Sequence, residues 1–344
     1  MRLHRRLLAA LALTASATAA ATLLPAASDA ARRQDVRAIR IHYRSFDGIR
    51  RGAVVLLPNS YDRRDPVALP LIISPHGRGL TGRNNAAAWG DLPALGNFVV
   101  VNPDGQGRRL GPYSWGYAGQ IEDLARMPAI VRAALPWLKI DRSRVYAFGG
   151  SMGGQETLLL VARHPGLLAG AAVFDAVTDF ARQYRAFPRL PCSGLCRLNW
   201  THGGGYGRYL QTLARKEIGG SPRTAPRAFA RRSPVTYTRR IARSCVPLQI
   251  WWSVADRIVV DQQSQSGRLF WDLRRLNPQA NVEAFVGFWI HSAEMRARTG
   301  LPLALSRFGL LQAGKAWVSI RRVKPIGTPC TREGATEQEP EPAP

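Results

Sequence analysis

An α/β architecture, with a doubly wound and mostly parallel sheet, follows from three observations on the sequence. Short, uninterrupted apolar runs recur along the chain. Segments with apolar residues spaced at three and four lie between them. Each run is followed by Gly, Pro, Ser, Asn or Asp. Continuous apolar runs suit strands buried on both faces, and alternation with helical segments favours a parallel sheet covered by helices. The chain has 344 residues, 46% hydrophobic and 21% charged, which excludes a disordered chain, a collagen-like repeat and a small disulfide scaffold. Mean hydropathy is −0.16 and the long apolar run is N-terminal, so a polytopic membrane protein is excluded as well.

Taken in order, residues 36–43 alternate as a half-exposed strand and 51–57 form a second, with Pro58-Asn59 as its turn. Residues 69–74 and 98–101 read as buried strands, 120–138 as a helix, and 145–148 as a strand that runs directly into glycine. Residues 152–163 are helical in pattern and stop at His164-Pro165-Gly166. Strands are expected at 169–174 and 247–252, and a last one at 282–286. Between 179 and 243 the pattern breaks down into an irregular, Arg-rich insertion or lid with one helix around 209–217. The segment 328–344 is acidic, polar and Pro-rich, and is expected not to pack.

Formal net charge is +25, yet only four of the 48 basic residues are Lys (Lys139, Lys216, Lys315, Lys324), and Arg is scattered without a groove-reading motif. A solvated basic surface, attractive to anionic polymers or envelope surfaces, is favoured over specific nucleic-acid binding. Arg2, Arg5 and Arg6, the apolar run 7–24, Pro25 and the small residues Ser28 and Ala30 form a secretory signal covering 1–30, leaving a domain at 31–327. An uncleaved anchor is the alternative. Extracellular or cell-envelope location, without stable membrane insertion, is the expectation. Cys192, Cys196, Cys245 and Cys330 then suggest two disulfides, Cys192 with Cys196 and Cys245 with Cys330. A zinc site is disfavoured because no His stands at ligand spacing.

Gly149-Gly150-Ser151-Met152-Gly153 matches G-x-S-x-G between an expected strand and an expected helix, the context in which a serine is held at a sharp turn. Serine needs a base, and the base needs an orienting acid. Of the six His residues, His291 follows the last expected strand, where a loop carries it back over the serine. Asp256 stands in a loop past the strand 247–252 and can hold the imidazole. Asp261, read as a cap, and Asp175, after an earlier strand, are its rivals. Pro75-His76-Gly77-Arg78-Gly79 follows the strand 69–74, so the backbone amide of Arg78, or alternatively Gly77, joins that of Met152 as an oxyanion donor. Trp115 and Tyr117, with Tyr113, Trp200 and Tyr206, are candidates to line the substrate cleft.

On His76-Gly77, Gly149 to Gly153, Asp256 and His291, in that order, the chain resembles the α/β-hydrolase superfamily over about 36–323. Gly149-Gly150-Ser151-Met152-Gly153-Gly154 and Arg232-Ser233-Pro234 look like prolyl-oligopeptidase-type and polyhydroxyalkanoate-depolymerase or feruloyl-esterase-type members. There is no propeller segment and no His-Gly-Gly-Gly run. The resemblance implies a secreted serine hydrolase of small or polymer-linked carboxylic esters, without metal or organic cofactor. A serine peptidase or an exported acyltransferase is the alternative.

Overall fold

The computed structural model describes residues 35–190, 205–312 and 318–331. The expected signal at 1–30, the Cys192–Cys196 pair, Trp200 and the segment from 332 onward lie outside these residues. A nine-stranded sheet in the order β1-β2-β4-β3-β5-β6-β7-β8-β9 carries the molecule. Strands β1 (Val36–Arg44) and β2 (Arg50–Pro58) form an antiparallel hairpin, and β2 runs antiparallel to β4 (Val99–Pro103). Strands β3 (Leu69–Ile73), β5 (Ile140–Gly150), β6 (Gly170–Phe174), β7 (Leu248–Ser253) and β8 (Val282–Gly287) continue in parallel with β4.

Burial follows the sequence pattern. Every residue of β3, β4, β6 and β7 is buried, as unbroken apolar runs require when both faces are covered. Strand β1 is half-covered: Ile41 and Tyr43 point inward while Arg40, His42 and Arg44 are exposed. One face of the sheet packs on α1 (Ala118–Ala134) and α2 (Met152–Arg163), with Leu158, Val161, Leu124 and Met127 against Ile73, Val101 and Val173. The other face holds Trp89, Phe98, Phe148, Trp251 and Phe285, the last two stacked at 4.1 Å.

Two expectations are revised. The sheet does not end at β8, because β9 (Ile320–Val323) pairs antiparallel with it. This edge strand is Ile-Arg-Arg-Val, too short and polar to announce itself, and Arg322 pairs with Glu283 across the ladder. The described residues of the insertion at 179–243 are built largely of helices, not irregular: α3 (Phe180–Ala186), α4 (Gly205–Ile218), α5 (Pro226–Arg231) and α6 (Thr238–Arg243). Helices of six or seven residues hold too few turns for a period to show in sequence. A longer helix, α7 (Ser266–Leu276), follows β7.

Cys245, just before β7, is disulfide-bonded to Cys330 with Cα atoms 5.4 Å apart, and the Cys330 amide donates to Gln279 O before β8. The bond closes a loop across a sequence separation of 85. Such closure removes unfolded-state entropy. Replacing both cysteines by Ala is expected to lower unfolding free energy by about 2–4 kcal/mol. Non-reducing urea titration of both proteins measures this; coincident midpoints would contradict it.

Candidate functional site

Strand β5 ends at Gly149-Gly150, and Ser151 turns the chain into α2 with φ 57° and ψ −121°. A positive φ is costly for a residue with a side chain and persists only where its surroundings enforce it. Here the Ser151 amide donates to Phe174 O of β6 at 2.8 Å. A Cβ on Gly149 would meet Gly153 O at 2.2 Å, and one on Gly153 would meet Pro75 O at 2.3 Å. Both glycines are therefore dictated by close approach.

Asp256 and His291 come together as the sequence predicts. Asp256 Oδ2 accepts from His291 Nδ1 at 2.8 Å. Its Oδ1 accepts the Ile258 and Val259 amides at 2.8 and 3.1 Å, and Gln262 Nε2 lies 3.2 Å from Oδ2. The carboxylate is fully buried and the imidazole partly exposed. Ser151 and His291 line the same open cavity of about 1350 Å³ with Gly77, Arg78, Met295 and Arg296. The Ser151 hydroxyl makes no hydrogen bond among the described residues, an arrangement that substrate-free sites often show. Asp261 caps the turn Gln262–Ser264 and pairs with Arg182, away from the imidazole.

The loop 75–80 lies over the start of α2. His76 is buried, with its ring nitrogens 2.7 Å from Gly77 O and Asp104 O, so it shapes the loop. The Gly79 amide donates to Pro112 O and the Leu80 amide to Gly77 O. The Gly77 and Arg78 amides have no acceptor among the described residues. Met152 begins α2, where the first N–H groups of a helix lack partners inside it.

Asp175, the other rival acid, has a separate position that the sequence did not reveal. Its Oδ1 accepts the Ser253 amide at 2.7 Å, and its Oδ2 accepts Trp289 Nε1 at 2.8 Å and the Ser292 amide at 2.7 Å. It thus ties the loop after β7 to the loop carrying His291. Burial holds its carboxyl above the usual carboxylate range, against the pull of His291, and the charge of Asp256 adds to the rise. Ligand atoms of Asp175, Asp256 and His291 lie within 4.8 Å of one another. Yet the carboxylate oxygens already accept these N–H donors, which fits a hydrogen-bond network better than a metal cage.

Trp115 and Tyr117 are not among the described residues that line the cavity Ser151 and His291 share. Trp115 is buried and stacks on Phe180 at 5.5 Å, fastening α3 to the body. Tyr117 donates to Asp47, and its ring lies under the Arg232 guanidinium. Composition marks aromatics but not which side of a loop they face. The sequence also concealed how the insertion is anchored. Buried Glu217 accepts the Arg108, Arg109 and Leu110 amides at 2.7–2.9 Å and pairs with buried Arg232 at 3.2 Å. Arg232 also donates to Ser114 O.

This geometry is the α/β-hydrolase fold, and solved structures agree. Acylaminoacyl peptidase from Pyrococcus horikoshii aligns at TM-score 0.59 and 15% identity, over 83% of this chain and 43% of that one. An esterase from Rhizomucor miehei aligns at 0.57 and 14%, over 83% and 86%, and a hyperthermophilic esterase from Pyrobaculum calidifontis at 0.52 and 16%, over 75% and 76%. This chain spans well under half the length of the peptidase. No family model matches the sequence, and no curated protein matches it.

Below the elbow, Glu156 of α2 is fully buried, accepting from Ser114 Oγ and, at 3.3 Å, from Gln120 Nε2. Burial pushes its carboxyl up from 4.5 to about 7, although the Ser114 and Gln120 hydrogen bonds and the Arg232 charge pull it down. Between those values the folded chain keeps a proton that the unfolded chain releases, so stability falls as pH rises and levels off above about 7. Glu156→Gln is expected to flatten that decline by on the order of 3 kcal/mol. Urea midpoints across this pH range measure it; an unchanged slope would contradict the assignment.

Proposed function

We propose that the chain is a serine hydrolase of carboxylic esters, with Ser151 as nucleophile, His291 as general base and acid, and Asp256 as the group that orients the imidazole. The observation that carries the reading is the buried Asp256 carboxylate on His291 Nδ1, at the rim of a cavity that a strained serine shares. Ser151 Oγ attacks the acyl carbon as His291 Nε2 takes its proton. The carbonyl electron pair moves to oxygen, which the Arg78 and Met152 amides stabilise. The intermediate collapses, His291 returns the proton to the leaving alcohol, and an acyl-Ser151 ester remains. Water repeats the sequence and releases the acid.

Ester substrates are the class proposed here, since the Rhizomucor miehei and Pyrobaculum calidifontis proteins that share the fold are esterases. Export is part of the reading, supported by the signal-like N-terminus and the Cys245–Cys330 disulfide, which persists in oxidising compartments. Among the described residues no helix is long and apolar enough to cross a membrane.

Hydrolysis of short p-nitrophenyl esters and of Xaa-Pro and Ala-Ala p-nitroanilides tests the assignment. Ester turnover is expected, with Ser151→Ala and His291→Ala each lowering kcat by about 10⁴–10⁶ and Asp256→Asn by about 10³–10⁴. Anilide cleavage without ester cleavage would move the chain to the peptidases. Failure of Ser151 to take a fluorophosphonate label would overturn the nucleophile.

A further inference from the structure

Arg78 offers the cavity more than a backbone amide. Its guanidinium lies 5.8 Å from the Phe187 ring and 5.7 Å from the Tyr206 ring, both on the insertion side. Among the described residues no carboxylate pairs with it. Guanidinium carries five N–H donors in a planar fork, and aromatic faces leave most of them without an acceptor. Residue 78 is partly exposed, at the wall that Ser151 also lines. The surrounding field has the same sign. Arg296 and Arg298 line the cavity, and Asp91 is the single acidic residue among those lining it. A cleft of one sign concentrates ligands of the other.

We propose that Arg78 is the recognition site for an oxyanion borne by the substrate, a carboxylate or phosphate on the ester that Ser151 cleaves. This rests on the ester-hydrolase reading and adds the substrate class to it. The fork geometry suits either group, since both present paired oxygens to two N–H donors. The neighbouring rings keep the guanidinium from swinging into bulk water and narrow the approach to it.

Paired esters that differ in one charge read this directly. On the acyl side, p-nitrophenyl monoadipate is compared with p-nitrophenyl hexanoate. On the alcohol side, 4-acetoxybenzoate is compared with its methyl ester, and 4-acetoxyphenyl phosphate tells phosphate from carboxylate. At least one anionic ester is expected to exceed its neutral twin in kcat/KM by about tenfold to a hundredfold, the worth of a charge-assisted hydrogen bond. Arg78→Gln should collapse that ratio, and Arg78→Lys should keep part of it. In the unmutated protein, added salt should lower the ratio, a readout that does not depend on a variant folding. Preference for the neutral ester in every pair, or a ratio that neither substitution nor salt moves, would overturn the proposal.

Binding separates this inference from the reading beneath it. In Ser151→Ala, calorimetric titration with 4-acetoxybenzoate should give binding that the added Arg78→Gln change weakens by about tenfold or more. Binding of that kind without ester turnover by the unmutated protein would support anion recognition while removing the esterase. Turnover of neutral esters with no preference dependent on Arg78 would keep the esterase and remove the anion site.

Discussion

The backbone at Ser151 is the constraint on which the rest of the structure depends. A serine at positive φ between a strand and a helix costs about 1–3 kcal/mol, and the cost is tolerated because four elements meet closely there. Gly149 lies against Gly153 O, Gly153 against Pro75 O, and Gly154 beside Ala176. The Ser151 amide is meanwhile held by Phe174 O. Strands β5 and β6, the loop 75–80 and helix α2 are locked in one register, and α2 is buried along nearly its whole length. The position of every other site residue is measured from this point.

Two aspartates follow adjacent strands and do different things. Asp256, after β7, accepts two backbone amides while holding His291. Asp175, after β6, accepts three donors from the two neighbouring loops, among them the amide of Ser292 next to the histidine. One carboxylate orients the ring and the other holds the loop that presents it. Ser253 completes the brace: its hydroxyl donates to Trp289 O at 2.6 Å and accepts the Trp289 amide at 2.9 Å. The imidazole is thus fixed through its ring nitrogen and through its backbone.

Much of this was legible in the sequence, for identifiable reasons. Strands β3, β4, β6 and β7 are buried on both faces, so their apolar runs are continuous and unmistakable. The elbow was legible because close packing admits only glycine at positions 149 and 153. What stayed hidden depends on contacts between distant segments. Asp175 and Asp256 each follow a buried strand, and nothing local says which reaches residue 291. Trp115 and Tyr117 look like cleft aromatics until their partners Phe180 and Asp47 are known. Nothing local shows that Glu217 and Arg232 are buried together, with Glu217 accepting three amides of the loop beneath the insertion.

The disulfide fixes a direction in the molecule. Cys245 precedes β7, and Cys330 bonds to Gln279 ahead of β8, whereas Asp256 and His291 follow the far ends of the same two parallel strands. A six-residue strand spans about 20 Å, so the disulfide sits at the end of these strands opposite the one that carries Asp256 and His291. Mechanical load applied at the disulfide would therefore enter the sheet at that end without drawing on the loops that hold His291.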